Sequence, residues 1–397
     1  MQNIPYGRQH ITNEDIQIVI KTLKSDWLTQ GPMVENFEKA FAEYIDVKYA
    51  VAVSNGTAAL HLAAMALGLK PGQKVITTPI TFAASANCIE YCGAEVVFAD
   101  IDPETALLDI NKVRELIGQH PKGTFAGIIP VDFAGYPVDM EAFRALAAEH
   151  NLWIIEDACH APGGWFTDSK GKRQNCGNGV YADLAVFSFH PVKHIACGEG
   201  GMITTNDPDL YERLKMLRTH GITKNPEKLF ENHGGWYYEM QTLGYNYRIP
   251  DMNCALGWSQ LQRANEGIER RLTIAATYDK IFENFSIKTL PTPQNLGHAY
   301  HLYIIKTEQR KALYDHLRSK GILAQIHYIP VHTMPYYKNK GWRKGMLPNA
   351  EAYYEECLSL PMFPTLKEKE QKLIIEQIRQ WEEASLAISC KQLAMSY

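Results

Sequence analysis

Ala50-Val51-Ala52-Val53-Ser54-Asn55-Gly56-Thr57, followed by Ala58-Ala59-Leu60-His61-Leu62-Ala63-Ala64-Met65-Ala66-Leu67, sets the pattern of this chain. Four apolar residues read as a buried strand, the next four as a turn, and the following ten as a helix. The same unit recurs downstream. Strands are expected at Lys74 to Thr77, Glu95 to Ala99, Gly127 to Val131 and Trp153 to Glu156. Helices fall between them at Ala83 to Cys92, Asn111 to Ile117 and Met140 to His150. A further strand, Gly201 to Thr205, leads to a helix at Pro208 to Thr219. Upstream, helices are expected at Asn13 to Leu23, with Thr12 as cap, and at Val34 to Tyr44. Strands alternating with helices of this length imply crossover units and a mostly parallel sheet covered on both faces. The fold class is α/β.

The character changes near residue 258. A long charged helix pattern, Ser259 to Phe285, precedes short strands (His301 to Thr307, Ile322 to His327) and helices (Gln309 to Lys320, Ala350 to Leu358, Glu368 to Ser385). At 397 residues the chain exceeds what one core usually supports. Residues 1–258, N-terminal segment included, are therefore expected to form a large α/β domain, and residues 259–397 a smaller α+β domain. The last dozen residues have a weak pattern and read as a loose tail.

The bulk numbers exclude several classes. A net charge of −4 with no long basic run gives no electrostatic basis for binding nucleic acid or membrane. The longest nearly apolar stretch, Ala58 to Leu69, contains His61 and is too short to span a bilayer. Met1 to Tyr6 lacks a secretory pattern, and the eight cysteines include no C-x-x-C pair. No metal site is expected, and the compartment expected is the cytoplasm.

Two strand ends carry the chemistry. Leu152 to Ile155 runs into Glu156-Asp157-Ala158-Cys159-His160, and Leu184 to Phe187 runs into Ser188-Phe189-His190-Pro191-Val192-Lys193. A lysine and an aspartate, each where a buried strand meets a loop, are the two groups that pyridoxal 5′-phosphate requires. The lysine forms a Schiff base, and the aspartate keeps the pyridine nitrogen protonated. To work at neutral pH, Lys193 must sit where its pKa is lowered. The phosphate fits the turn at Gly56 and Thr57, where an uncapped helix start would offer free N–H groups, with Ser188 adding a hydroxyl. Taken alone, that turn is an ordinary strand-to-helix connection with an Asn or Ser cap; three loops agreeing on one ligand favour the anion. Phe82 could stack on the ring, against a bland reading as a core residue. His160 could reach the cofactor's phenolic oxygen or brace Asp157, against a bland reading as a buried structural histidine. Gly198-Glu199-Gly200-Gly201 precedes a strand, so it is no dinucleotide fingerprint; its glycines let the chain fold tightly beside the lysine.

With these residues in view, the chain resembles the nucleotide-sugar aminotransferases (DegT/DnrJ/EryC/StrS type), a branch of the fold-type I pyridoxal-phosphate enzymes. The resemblance runs to about residue 365 and includes Leu28-Thr29-Gln30-Gly31, Gly56-Thr57, Thr81-Phe82, Glu156-Asp157-Ala158, Phe187-Ser188-Phe189-His190, Gly244-Tyr245-Asn246-Tyr247-Arg248 and Gln325-Ile326-His327-Tyr328-Ile329-Pro330. It implies an aspartate aminotransferase-like fold and a transaminase, since Lys193 is kept where some relatives carry histidine and dehydrate sugars. Gly235 to Gln241 and His327 to His332 are most similar to members that aminate C4 of a UDP-linked 2-acetamido-2,6-dideoxy-4-keto-hexose on the route to pseudaminic acid. Glutamate is the implied donor. The resemblance also implies that Asn246 reaches the cofactor phosphate of a neighbouring subunit, making a homodimer with shared sites. Tyr6, Leu28, Thr29, His327 and Tyr328 are implied to line the sugar-nucleotide site. The rival readings are an aminotransferase for a GDP- or dTDP-linked keto sugar and a catalytically silent binding module.

Overall fold

The structure, a computed structural model, describes residues 3–292 and 295–395, with side chains described as far as residue 385. Its centre is a seven-stranded sheet: β1 (Tyr49–Val53), β2 (Lys74–Thr77), β3 (Glu95–Phe98), β4 (Phe125–Ile129), β5 (Trp153–Asp157), β6 (Leu184–Ser188) and β7 (Gly201–Thr205). The spatial order is β1-β7-β6-β5-β4-β2-β3. All pairings are parallel except the two made by β7, which is antiparallel to both β1 and β6. The exception has a local cause. β6 and β7 are joined by the loop that carries Lys193, with no crossover helix to return the chain to the same end of the sheet.

Alternation along the strands builds two cores. Val51, Val53, Val186 and Ile203 face one side, under the almost wholly buried helix Gly56–Ala66. Ala52, Phe187 and Met202 face the other, against Phe37 and Phe41 of the helix Pro32–Ile45. The Phe41 and Phe187 rings meet edge-on with centroids 4.9 Å apart, a favoured aromatic geometry.

A third cluster lies in the C-terminal part. Strands Lys288–Thr289, Tyr303–Lys306 and Cys357–Leu360 form an antiparallel sheet, and Tyr278, Tyr303, Leu313, Leu317, Leu360 and Ile374 pack beside it. Ile4–Pro5, grouped with residues 1–258 by sequence, pairs in parallel with Ile322–Leu323, and Ile4 joins this third cluster. The helix expected as one piece over Ser259 to Phe285 is two, Asp251–Leu261 and Ala264–Phe282. At the break, Arg263 and Gln260 both turn to the buried Asp15, at 2.9 and 2.7 Å. The helix expected at Ala350 to Leu358 instead ends at Glu356 and passes directly into a strand. The last helix extends from Glu368 to Met395, beyond the expected Ser385; the end of the expected tail, residues 396–397, lies outside the described residues. Among the described residues, no helix is long and apolar enough to cross a membrane.

Candidate active site

Along the ends of β1, β5 and β6 opens a cavity of about 670 Å³. Ten of the residues singled out by sequence line it: Tyr6, Gly56, Thr57, Phe82, Asp157, His160, Ser188, Lys193, His327 and Tyr328. Leu28, Thr29 and Asn246 do not. All three are exposed elsewhere: Asp251 N–H donates to Leu28 O, Thr29 bridges to Pro250, and Asn246 bridges to Thr219.

The anion end forms where β1 turns into the helix Gly56–Ala66. Asn55 caps that helix, its Oδ1 accepting from Ala58 N–H at 2.8 Å, so the start expected to be uncapped has one donor taken. The rest of the first turn still aims toward the cavity with the positive end of the helix. Gly56 also lies against Ser188: a Cβ there would sit 2.9 Å from Ser188 Cβ. This contact brings the two hydroxyl-bearing loops together. Gly201 meets the same turn from behind, since a Cβ on it would come within 2.5 Å of Asn55 O. Of the glycines beside the lysine loop, Gly201 answers to this close backbone approach and Gly198 to a φ of +81°.

Asp157 is 4% exposed at the end of β5. Its Oδ2 accepts from Ser85 Oγ at 2.7 Å and its Oδ1 from Cys159 N–H at 3.2 Å. Thr81 Oγ1 in turn lies 2.8 Å from Ser85 Oγ. The carboxylate is therefore braced by Ser85, so of the two roles offered for His160 the bracing of Asp157 falls away. His160 Nδ1 accepts from Ala134 N–H at 3.2 Å, and its Nε2 lies 3.3 Å from Tyr328 OH. Burial holds His160 well below its usual pKa, so it remains neutral.

Lys193 meets the sequence requirement. Desolvation lowers its pKa from 10.5 to about 8, against the opposing pull of Cys159 and Asp157. Its Nζ lies 3.4 Å from His301 Nε2, a residue the sequence reading placed at the head of a strand. That strand begins two residues later, at Tyr303, which leaves His301 in the preceding loop. Phe82 is 62% exposed on the cavity wall, its ring 6.4 Å from that of Tyr328. Tyr6 and His327 rings lie 5.1 Å apart, and burial lowers His327 to about 3. His327 Nδ1 is fixed by Ser359 Oγ at 2.8 Å.

A desolvated amine, a braced carboxylate, an anion cradle and an exposed aromatic wall in one cavity fit transamination. The family model of the DegT/DnrJ/EryC1/StrS aminotransferases matches residues 9–379. The chain belongs to that family. This aminotransferase is 38% identical over 387 residues to the spore coat polysaccharide biosynthesis protein SpsC of Bacillus subtilis, covering 95% of this chain and 96% of that one. It is 38% identical over 377 residues to a UDP-4-amino-4,6-dideoxy-N-acetyl-beta-L-altrosamine transaminase of Campylobacter jejuni, with 94% and 95% covered. Among solved structures, Helicobacter pylori PseC, an aminotransferase involved in the biosynthesis of pseudoaminic acid, matches with a TM-score of 0.87 and 30% identity over 96% of this chain and 100% of that one. The PMP form of Spr1654 from Streptococcus pneumoniae matches at 0.88 and 29%, with 96% and 100% covered. The fold is that of the fold-type I pyridoxal-phosphate transferases.

Proposed function

We propose that this aminotransferase transfers an amino group from glutamate to C4 of a UDP-linked 2-acetamido-2,6-dideoxy-4-keto-hexose, on a cytoplasmic route to pseudaminic acid. The observation that carries the chemical part is the convergence of Lys193 and Asp157 on one cavity. The substrate part is supported by the Campylobacter and Helicobacter relatives described above.

The enzyme uses pyridoxal 5′-phosphate, and the residues present suit it. Gly56, Thr57 and Ser188 would hold the phosphate, Phe82 the ring face, Asp157 the ring nitrogen, His160 the edge of the ring and Lys193 the aldehyde. When bound, the cofactor supplies an electron sink for charge developing at the carbon that loses a proton. Asp157, oriented by Ser85 and Cys159 N–H, keeps a proton on the ring nitrogen. Lys193, once its amine is free, takes a proton from the donor's α-carbon; in the return half-reaction it delivers one to C4 of the sugar. A pKa of about 8 suits both directions. Tyr6, His327 and Tyr328 would contact the sugar nucleotide.

The site is completed by a second copy of the chain. Asn246 and the Leu28-Thr29 turn are exposed and lie outside the cavity, and Trp27, Trp236, Tyr238 and Leu243 are each more than half exposed. Large apolar side chains left exposed on one protomer suit burial in an interface. Across a two-fold axis, Asn246 would reach the partner's phosphate and Leu28-Thr29 the partner's sugar site, giving a homodimer with shared active sites.

The equal identity to the spore coat protein supports a second reading, amination of a different nucleotide-linked keto sugar. Mass spectrometry of the products from UDP-, GDP- and dTDP-linked 4-keto sugars with glutamate separates the two. Amination confined to a GDP or dTDP sugar would overturn the first reading.

A further inference from the structure

His301 belongs to no motif, yet it touches the amine on which the reaction turns. Its Nε2 is 3.4 Å from Lys193 Nζ, and among the described residues its Nδ1 is buried without a partner. The loop that carries it is held from three sides. Arg271 Nη1 donates to Tyr300 O at 2.9 Å, His194 Nε2 lies 2.8 Å from Ala299 O, and Leu302 N–H donates to Ala134 O at 3.2 Å. The ring itself packs on His160 with centroids 4.3 Å apart. A histidine placed so firmly, with one ring nitrogen unsatisfied and the other on the lysine, is poorly explained as packing alone.

We propose that His301 is a positioning residue for transamination. Its Nε2 accepts a hydrogen bond from Lys193 whenever that amine is free, and so fixes where the lysine delivers and collects its proton. An ammonium has three donors and no lone pair, so Nε2 must be the acceptor and the ring proton must sit on Nδ1. The surrounding groups keep the ring in that neutral form. Burial, Lys193, His160, His194 and Arg271 all oppose a second proton on His301. Facing Lys193, Asp157 and Cys159 favour the ammonium, whereas burial opposes it.

The proposal rests on Lys193 being the working amine, and the test separates the two. In the apoenzyme, the pH dependence of reductive methylation at Lys193, read by mass spectrometry, gives the amine's pKa directly. The wild type should show a midpoint near 8. His301→Met removes the acceptor and disfavours the charged amine, so its midpoint should fall by about one pH unit, as expected for a hydrogen bond to a charged group. His301→Gln, which can return an acceptor near the Nε2 position, should stay close to the wild type. In the holoenzyme, His301→Met should lower kcat roughly tenfold or more with little change in either KM, and His301→Gln should recover most of it. If the methionine variant does not fold, His301→Asn, polar but too short to reach the lysine, should show the same fall. A wild-type midpoint near the ordinary lysine value would overturn the reading of Lys193 itself. A midpoint near 8 in both the wild type and the acceptor-less variants overturns only the role of His301.

Discussion

The lowered pKa of Lys193 has a consequence for folding that can be measured without substrate. Desolvation carries the amine from 10.5 to about 8, and every tenfold loss of proton affinity is worth about 1.4 kcal/mol. Holding this lysine charged in the folded apoenzyme therefore costs up to about 3 kcal/mol. The upper bound applies because the side chain is only half-buried and the cavity admits water. Because the folded pKa lies below the unfolded one, the unfolded chain binds more protons between pH 8 and 10.5. Stability must then rise with pH across that window. Lys193→Met keeps the length and volume of the stem and removes the charge. At pH 7 its apoenzyme should be more stable than the wild-type apoenzyme, and the difference should shrink by about 2 kcal/mol between pH 7 and 9.5. Urea unfolding of both apo forms at matched protein concentration measures this. Comparing the two at each pH cancels the titrating groups that do not feel Lys193. A difference that is flat with pH, or that widens, would refute the desolvated amine.

The other predictions concern the cofactor site and the assembly. Asp157→Asn should still bind cofactor while turnover falls by ~10³ or more, because an amide cannot keep the ring nitrogen protonated; near-normal turnover would make Asp157 a structural strand end. Gly56→Ala places a methyl 2.9 Å from Ser188 Cβ, so the apoenzyme should lose about 1–2 kcal/mol by overpacking, and equilibrium dialysis should show weaker cofactor retention. Lys193→Ala and Asn246→Ala, each inactive alone, should regain about a quarter of wild-type activity after random exchange of equal amounts, since half of the dimers would be mixed and each would hold one intact site. No recovery, with exchange verified by native mass spectrometry, would place Asn246 in its own chain's site.

What the sequence made legible was local. β5 and β6 each open with an apolar run, Trp153 to Ile155 and Leu184 to Phe187, so their ends could be located, and with them Asp157 and Lys193. The turn at Gly56 was readable for the same reason, although the Asn cap that the structure shows belonged to the alternative reading of that turn. What stayed hidden depends on contacts between distant positions. Ser85 braces Asp157 across 72 positions, and His301 meets Lys193 across 108. Neither carries a local signal, because a serine in a helix's first turns and a histidine before a strand are commonplace. The break before Ala264 has the same origin: it answers to Asp15, which no periodicity over 259–285 could reveal.

Three acidic side chains, Asp132, Glu156 and Asp157, crowd the end of β5, and the arrangement gives them different surroundings. Asp132 and Glu156 lie behind the cavity, with ligand atoms within 4.8 Å of each other and of Cys176 Sγ. Burial raises Asp132 to about 7 and Glu156 well above its ordinary value, and the Asp132 charge further penalises ionisation of Glu156. At neutral pH the pair therefore holds at least one proton between them. Asp157 faces the cavity with both oxygens accepting hydrogen bonds, from Ser85 and from Cys159 N–H. Crowding three carboxyls at one strand end would ordinarily endanger the ionisation of each. Here the two inner groups ease that repulsion by sharing a proton behind the cavity, and Asp157 is the carboxyl turned toward the ring nitrogen it must hold protonated.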